Sequence, residues 1–525
     1  MMRVLICDPL SPAALQIFKE RGIAAETKTG LSKDDLVKIA GDYDGLVVRS
    51  ATKIGAGVIK AAHRLKVIGR AGIGVDTIDV AAATTKGVVV MNTPFGNLIT
   101  TAEHAIALMF ALAREIPAAN ASTHAGKWEK NRFMGMELAG KTLGLIGCGN
   151  IGSIVADRAK GLKMKVIAYD PYLSPERAAS LGVEKAELDD LLTRADIVSL
   201  HAPLTEKTRN IVSREAIAKM KRGARLINCA RGGLVDEAAL REAIESGRLA
   251  GAAFDVFEKE PAKESALFGC ERIVATPHLG ASTTEAQETV ALQIAEQISD
   301  YLLTGAVTNA INMPSITAEQ AAKMKPWIAL AERLGAFLGQ LAETSMKSVE
   351  IVFEGSAAKL NVKALTQAAL AGLLKPALSD VNMVNAPVVA RDRGIEVSEI
   401  SRDRQLVYEG TLTLSVTSER QTRSVAGTVF PDGSARVIRV KDIDMEAQFA
   451  RHMLYVTNDD KPGFIGALGT LLGKAGVNIA SFNLGRTKAG GDAIALLEVD
   501  GPVEANVLAQ ISTLSLVKQA QVLEF

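Results

Sequence analysis

A glycine-rich turn in the middle of the chain constrains its fold most strongly. Residues 144–152 read Gly-Leu-Ile-Gly-Cys-Gly-Asn-Ile-Gly, between a strand-like run at 142–146 and a helix-like run at 154–163. Gly147 permits a tight strand-to-helix turn, Gly149 lets the backbone approach a ligand, and Gly152 lets the helix pack close to the strand. The spacing therefore predicts a βαβ unit that holds the pyrophosphate of a dinucleotide at a helix N-terminus.

An acidic residue at the end of the next apolar run narrows the choice of cofactor. Asp170 follows the run Val166-Ile-Ala-Tyr169. A carboxylate at this point accepts hydrogen bonds from a ribose hydroxyl, and its charge repels the 2′-phosphate of NADP. The predicted cofactor is therefore NAD.

Length and composition limit the remaining choices. A chain of 525 residues is too long for one hydrophobic core, and 48% apolar with 23% charged residues is typical of a soluble globular protein. The net charge of +1 gives no electrostatic reason to expect nucleic acid or a membrane surface as partner. We expect a cytoplasmic protein without a metal site, because its cysteines lack metal-ligand spacing and no signal peptide is apparent: Cys7, Cys148, Cys229 and Cys270.

Two α/β regions are predicted in the first three hundred residues. Strand-like runs of the first region are at 4–7, 46–48, 67–68 and 88–91. The second region starts at Lys141 and continues with runs at 166–169, 197–200, 225–228, 251–254 and 273–275. Helical stretches separate the runs, so each region is expected to form a parallel sheet. A helical run over 101–121 lies between them, and its apolar face fits subunit contact and core packing equally well.

The pattern changes beyond Asn309-Ala-Ile-Asn-Met-Pro314. Helices are predicted over 318–345 and 361–374, and a period of two over 406–440, with a hairpin turn at Pro431-Asp-Gly433. From His452 onwards the order strand, helix, strand, strand, helix, strand indicates a compact βαββαβ unit.

Three residues after strand ends suggest the chemistry. Oxidation of an alcohol by hydride loss also releases the hydroxyl proton, and His278, after a strand and Pro277, can accept it. Glu260 is a candidate to orient the imidazole, and Arg231 can bind a substrate carboxylate with two hydrogen bonds.

The runs around these residues resemble a known family. Asn228-Cys-Ala-Arg-Gly-Gly233, Asp255-Val-Phe-Glu-Lys-Glu-Pro261 and the segment beginning Pro277-His-Leu-Gly280, together with the glycine turn, resemble the D-isomer-specific 2-hydroxyacid dehydrogenases. The resemblance implies that Arg231 binds the carboxylate and that Glu260 and His278 form the acid/base relay. It also implies a Rossmann-type doubly wound cofactor domain at 99–282, inserted in a flavodoxin-like substrate domain at 1–98 and 283–313. An α+β intervening domain is implied at 314–451, and an ACT regulatory domain at 452–525.

Further motifs extend the resemblance over nearly the whole chain. They are Arg49-Ser-Ala-Thr-Lys53, Gly69-Arg-Ala-Gly-Ile-Gly-Val-Asp76, Asn92-Thr-Pro94, Gly126-Lys-Trp128 and Phe133-Met-Gly135. They are typical of long members that use NAD to oxidise 3-phospho-D-glycerate to 3-phosphohydroxypyruvate, the first step of phosphorylated L-serine biosynthesis. The resemblance also allows reduction of 2-oxoglutarate to 2-hydroxyglutarate. Two alternatives stay open: a glyoxylate or hydroxypyruvate reductase, and a non-catalytic NAD sensor.

The resemblance implies two sets of binding residues. The expected cofactor contacts are Gly147, Gly149, Asn150, Ile151, Gly152, Asp170, Ala202, Cys229, Ala230, Arg231, Asp255, His278 and Gly280. The expected substrate contacts are Arg49, Ser50, Gly72, Ile73, Asn97, Arg132, Arg231 and His278. In this view Arg132, or Lys130, reaches the substrate phosphate from a neighbouring subunit, although a solvated surface charge is an equal alternative for Arg132.

Regulation and assembly are implied in the same way. ACT domains commonly bind amino acids at a paired interface, and Asn458, Asp460 and Asn478 are the expected partners of L-serine. A dimerisation role alone is the alternative. The 101–121 helix and the ACT unit favour a homo-oligomer, with a tetramer expected.

Overall fold

The computed structural model describes residues 1–342, 344–404 and 407–525. It contains two compact units, one made of Met1–Asn92 with Ile294–Phe525 and the other of Thr93–Gln293. No helix in the described part of the chain is long and apolar enough to cross a membrane.

The N-terminal part of the first unit is a parallel α/β sheet. Its elements are β1 (Arg3–Ile6), α1 (Pro12–Glu20), β2 (Ala24–Thr27), α2 (Lys33–Ile39), β3 (Gly45–Val48), α3 (Ala56–Ala61), β4 (Val67–Arg70), α4 (Val80–Lys86) and β5 (Val89–Asn92). The strand order β2-β1-β3-β4-β5 is flavodoxin-like, as expected. Residues 309–312 lie beside β5, where the amide of Ile311 donates to the carbonyl of Val90 at 2.8 Å.

The second unit is a larger parallel sheet with helices between its strands. Its elements are α5 (Leu98–Ala113), α6 (Ile116–His124), β6 (Thr142–Ile146), α7 (Asn150–Gly161), β7 (Lys165–Tyr169), α8 (Pro175–Leu181), β8 (Glu184–Lys185), α9 (Leu188–Arg194), β9 (Ile197–Leu200), α10 (Arg214–Lys219), β10 (Arg225–Asn228), α11 (Glu237–Glu245), β11 (Gly251–Phe254), β12 (Ile273–Ala275) and α12 (Thr284–Thr304), whose last part belongs to the first unit. The strand order is β12-β11-β10-β9-β6-β7-β8. The chain starts in the middle at β6, adds β7 and β8 on one side, and then adds β9 to β12 on the other side. The doubly wound prediction is confirmed, and the glycine turn lies at the switch point where such sheets bind ligands.

The prediction of a single helix over 101–121 was wrong. The chain forms two helices, α5 and α6, because Glu115 adopts a left-handed conformation with φ of 51°. Pro117 follows in the first turn of α6, where a proline needs no hydrogen-bonded amide.

The next part of the first unit combines helices with a mostly antiparallel sheet. Its elements are α13 (Ala318–Gln340), β13 (Met346–Gly355), α14 (Val362–Leu374), α15 (Ala386–Asp392), β14 (Glu396–Arg402), β15 (Gly410–Ser418), β16 (Thr422–Val429), β17 (Ala435–Val440) and β18 (Ile443–Gln448). The predicted helix at 318–345 ends early, at Gln340. The predicted start of the alternating region, residue 406, lies outside the described residues, whereas the turn at 431–433 joins β16 to β17. Helices α13 and α14 approach closely because Gly372 presents no side chain to the carbonyl of Glu332.

The C-terminal part has the predicted βαββαβ order. It consists of β19 (His452–Asp459), α16 (Phe464–Lys474), β20 (Ile479–Arg486), β21 (Asp492–Val499), α17 (Ala505–Ser512) and β22 (Val517–Glu524), with the antiparallel order β20-β21-β19-β22. One face of this sheet shares a hydrophobic core with α13, where the rings of Phe337 and Tyr455 lie 5.9 Å apart.

Candidate active site

The turn after β6 has the geometry of a phosphate cradle. Gly147 has φ of 95°, and a Cβ on it would lie 2.6 Å from the carbonyl oxygen of His201. A Cβ on Gly152 would lie 2.3 Å from the carbonyl oxygen of Gly147, so only glycine permits α7 to start this close to the turn. No atom lies within 4 Å of a Cβ built on Gly149. The first amides of α7, at Asn150, Ile151 and Gly152, have no helical acceptor and form an anion-binding end.

Asp170 lies directly beside this turn. One of its carboxylate oxygens accepts from the amide of Cys148 at 2.9 Å, and the other accepts from the amide of Tyr172 at 2.9 Å. Each carboxylate oxygen can accept a second hydrogen bond, so a ribose hydroxyl can still be bound.

His278 and Glu260 form a direct pair in the second unit. The Nδ1 atom of His278 lies 2.6 Å from Oε2 of Glu260, and Oε1 of Glu260 accepts from the amide of Phe257 at 3.0 Å. Burial raises the pKa of Glu260, but the hydrogen bond from His278 and the amide of Phe257 outweigh it, so the pKa lies below its ordinary value. The ionised carboxylate therefore holds one ring nitrogen of His278.

The Arg231 loop packs against the loop that carries Glu260. Buried Asn228, the last residue of β10, accepts from the amide of Ala230 at 3.0 Å and donates to the carbonyl of Arg231 at 2.9 Å. Gly232 touches the backbone of Phe257, since a Cβ there would lie 1.9 Å from the Phe257 oxygen. The structure thus brings all three predicted catalytic residues to the carboxyl end of one sheet.

Asp255 accepts hydrogen bonds from the loop that follows β12. It is fully buried, and its carboxylate accepts from the hydroxyl of Thr276 at 2.6 Å and from the amides of Leu279 and Gly280 at 2.7 and 2.8 Å. Burial raises the pKa of Asp255, while the hydrogen bonds from His104 and Thr276 bring it below the ordinary value. Its predicted contact with the nicotinamide stays a prediction.

The other expected cofactor contacts also follow strand ends. Ala202 comes shortly after β9, and Cys229 and Ala230 come directly after β10. Burial raises the pKa of the Cys229 thiol, which disfavours its thiolate form. Burial lowers the pKa of nearby His201 to about 4, which makes this histidine neutral.

The expected substrate residues divide between the units. In the first, Arg49 and Ser50 follow β3, and Gly72 and Ile73 follow β4, where Gly72 has φ of 146°. In the second, the Asn97 Oδ1 atom is buried without a partner among the described residues. Arg132 pairs with Glu129 at 2.9 Å and Glu271 at 2.6 Å.

The expected serine ligands are engaged with neighbouring groups. Asp460 accepts from Arg486 at 2.8 Å and from the amide of Gly490 at 2.9 Å. Asn478 donates to Asp500 at 2.7 Å. Asn458 is 1% exposed, and its Oδ1 atom has no partner among the described residues.

Comparisons with known proteins agree with this geometry. Residues 106–280 match the model of the D-isomer specific 2-hydroxyacid dehydrogenase, NAD binding domain. Residues 323–441 match the D-3-phosphoglycerate dehydrogenase intervening domain, and 452–515 match the ACT domain. A D-3-phosphoglycerate dehydrogenase of Synechocystis is 44% identical over 99% of this chain and 94% of its own. The one from Methanocaldococcus jannaschii is 42% identical over the full length of both.

The chain belongs to the D-isomer specific 2-hydroxyacid dehydrogenase family. Among solved structures, the TT0316 protein of Thermus thermophilus is 37% identical with a TM-score of 0.55, and covers 59% of this chain and all of that one. The family's cofactor here is NAD, and the residues present fit it: the open space at Gly149, the first amides of α7 and the carboxylate of Asp170.

Sequence reasoning missed several residues that hold this family's site in place. Buried Asp8 accepts from the amide of Arg49 at 2.5 Å and from the hydroxyl of Thr52 at 2.6 Å, so it shapes the loop after β3. His104 and Thr276 contact Asp255 in the second unit. Asp8 could have been found by its place after β1, whereas nothing in the sequence around His104 indicates its partners.

Proposed function

We propose that this dehydrogenase oxidises 3-phospho-D-glycerate to 3-phosphohydroxypyruvate with NAD, the entry to L-serine biosynthesis. The observation that carries the proposal is the 2.6 Å pair of His278 and Glu260 beside the Arg231 loop. The near-full-length likeness to proteins named D-3-phosphoglycerate dehydrogenase supports the choice of substrate.

The chain's own groups can perform the proton transfer. Because Nδ1 of His278 donates to the Glu260 carboxylate, Nε2 carries the lone pair that accepts the substrate hydroxyl proton. The anionic Glu260 stabilises the resulting imidazolium. Arg231 holds the carboxylate next to the reacting carbon with its planar guanidinium. NAD, when bound, accepts the hydride.

The proposal also covers the substrate-binding residues, the domain limits and the location of the protein. We propose that Arg49, Ser50, Gly72, Ile73 and Asn97 bind the phosphorylated substrate. Arg132 is proposed to reach the phosphate of a substrate bound to a neighbouring subunit. To do so, it must give up its ion pairs with Glu129 and Glu271. The domain limits 1–98 with 283–313, 99–282, 314–451 and 452–525 are proposed as the functional division. A cytoplasmic location is proposed too, and its four free thiols support it.

Replacement of His278 tests the reaction. His278→Gln keeps a polar side chain without a titrating nitrogen, so kcat with 3-phosphoglycerate is expected to fall by about 100-fold or more, while NAD still binds. His63→Gln, an exposed histidine of the first unit, is the matched control. Wild-type turnover in His278→Gln would refute the mechanism.

A substrate panel tests the alternatives. Steady-state rates are measured with 3-phosphoglycerate, glyoxylate, hydroxypyruvate and 2-oxoglutarate. Higher kcat/KM with glyoxylate or hydroxypyruvate would replace the proposed substrate. NAD binding without any turnover would favour the non-catalytic sensor.

Serine regulation is proposed at the ACT domain. The buried, unpartnered Oδ1 atom of Asn458 supports a ligand in this region. The same assay with added L-serine is expected to show inhibition that Asn458→Ala and Asn478→Ala weaken. Serine without effect on rate or unfolding temperature would leave only the dimerisation role.

A further inference from the structure

The loop 276–280, which carries His278, is tied to a helix that carries none of the residues assigned to catalysis. His104 of α5 places its Nε2 atom 3.2 Å from the hydroxyl of Thr276 and 3.2 Å from Oδ1 of Asp255. The hydroxyl of Thr276 lies 2.6 Å from the same carboxylate oxygen. Imidazole, hydroxyl and carboxylate thus lie in mutual contact within the second unit, with hydrogen bonds from His104 to Thr276 and from Thr276 to Asp255.

The direction of these hydrogen bonds follows from the acceptor. An ionised carboxylate only accepts, so the hydroxyl of Thr276 donates its single proton to Asp255. The hydroxyl oxygen can then accept from Nε2–H of His104, whose Nε2 atom also lies 3.2 Å from Asp255. His104 therefore supplies a donor that the buried pair of Thr276 and Asp255 cannot supply itself.

The loop requires such support because of its backbone conformation. His278 has φ of 56°, in the left-handed region that non-glycine residues seldom adopt. Its neighbours on the C-terminal side, Leu279 and Gly280, both donate their amides to Asp255. A conformation of this kind persists only where the surroundings fix it, and here Asp255 and its donors are those surroundings.

We propose that His104 is a positioning residue for the acid/base histidine. Acting through Thr276 and Asp255, it fixes the backbone of 276–280 so that the ring of His278 meets Glu260 and presents its other nitrogen to the substrate. The inference rests on the proposed role of His278. No contact with substrate or cofactor is assigned to His104.

Paired substitutions separate this role from plain support of the fold. His104→Leu and Thr276→Val remove the polar contacts at similar volume, whereas His104→Gln and Thr276→Ser keep a donor. His63→Leu is the matched histidine control. For each variant, kcat, KM, NAD affinity, unfolding temperature and the primary isotope effect with substrate deuterated at the carbinol carbon are measured.

The expected result is a defect in the chemical step. His104→Leu and Thr276→Val each lower kcat by about 100-fold, because small misplacement of a catalytic group has an effect of this size. The isotope effect on kcat rises and NAD affinity stays within about twofold of wild type. His104→Gln and Thr276→Ser recover most of the activity. The double variant is no slower than the slower single variant, since both act through one loop.

Two outcomes overturn the inference. One is unchanged kcat and isotope effect in His104→Leu while His278→Gln is inactive, which leaves the proposed function intact. The other is lower unfolding temperature with normal chemistry in the folded fraction, which makes His104 purely structural. If His104→Leu does not fold, Thr276→Val is compared with Thr276→Ser instead. A loss of kcat in Thr276→Val that Thr276→Ser recovers supports the inference, and an unchanged kcat in Thr276→Val overturns it. Full activity of both His278→Gln and His104→Leu would refute the proposed role of His278, and a wild type without turnover of 3-phosphoglycerate would refute the proposed function itself.

Discussion

Glu260 shows how one carboxylate combines binding of a histidine with a pH-dependent contribution to stability. Burial works against its charge, but hydrogen bonds from His278 and from the amide of Phe257 keep its pKa below the value of about 4.3 for a free glutamate. A carboxyl with a lowered pKa stabilises the folded state fully above that free value, and the contribution is lost as the pH falls through the lowered pKa.

Glu260→Gln should therefore differ from the wild type in a pH-dependent way. We expect the difference in unfolding temperature between the two proteins to shrink as the pH falls from about 5 to 3, because the wild-type carboxyl becomes neutral there. Thermal unfolding followed by circular dichroism measures it. Glu258→Gln, at an exposed neighbouring position, is the matched control. A difference that grows on acidification contradicts the assignment.

At the same scale, the sequence predicted the residues that act after strand ends but not those that hold them. Arg231, Glu260 and His278 were predicted because strand ends of α/β sheets present site residues. His104 lies 172 positions before its partner Thr276, and Asn228 acts through its backbone neighbours. Such partners become visible only when the strands and helices have been placed in space.

At the scale of secondary-structure elements, the packing of α7 against the glycine turn requires that residue 152 has no side chain. Gly152→Ala places a Cβ 2.3 Å from the Gly147 oxygen, a backbone atom that cannot move without opening the turn. We expect a loss of about 1–3 kcal/mol in the free energy of unfolding, and NAD affinity lower by about tenfold or more, because the helix N-terminus moves.

Gly161→Ala in the same helix is the control. No atom lies within 4 Å of a Cβ there, so stability should stay equal or rise by up to about 1 kcal/mol through helix propensity. Denaturant unfolding and calorimetric NAD titration measure both variants. Wild-type NAD affinity in Gly152→Ala would mean that α7 need not pack against the turn.

Elements with strong apolar patterns were predicted well, and short or exposed ones were not. The buried strands of the cofactor sheet lie within a residue or two of their predicted limits. Strands β2, β8 and β14 were missed because each is short or mostly exposed, so alternation and apolar runs are weak there. Strands β13 and β18 were missed as well, although the apolar residues of β13 alternate and are largely buried. The break between α5 and α6 could have been predicted from Pro117, because a proline in a helix interior removes a hydrogen bond whereas one in the first turn does not.

For the whole molecule, the exposed apolar residues of the second unit bear on assembly. Trp128 is 88% exposed, Met134 78% and Ile116 50%, all within α6 and the segment that follows it. Several large exposed apolar side chains on one segment of the chain are typical of a contact surface. The helical run at 101–121 was predicted to serve either subunit contact or core packing. The exposed residues favour contact for its second half, and we propose this surface as one interface of a homotetramer.

A charge introduced on this surface should dissociate the assembly. Trp128→Glu removes a large apolar anchor and would bury a carboxylate in the interface, which is costly without a partner. Light scattering after gel filtration is expected to give about four times 55.4 kDa for the wild type and a smaller multiple for Trp128→Glu. Tyr172→Glu, 97% exposed elsewhere in the same unit, should keep the wild-type mass. A wild type of 55.4 kDa would rule out the oligomer, and with it any contribution of Arg132 to a neighbouring subunit.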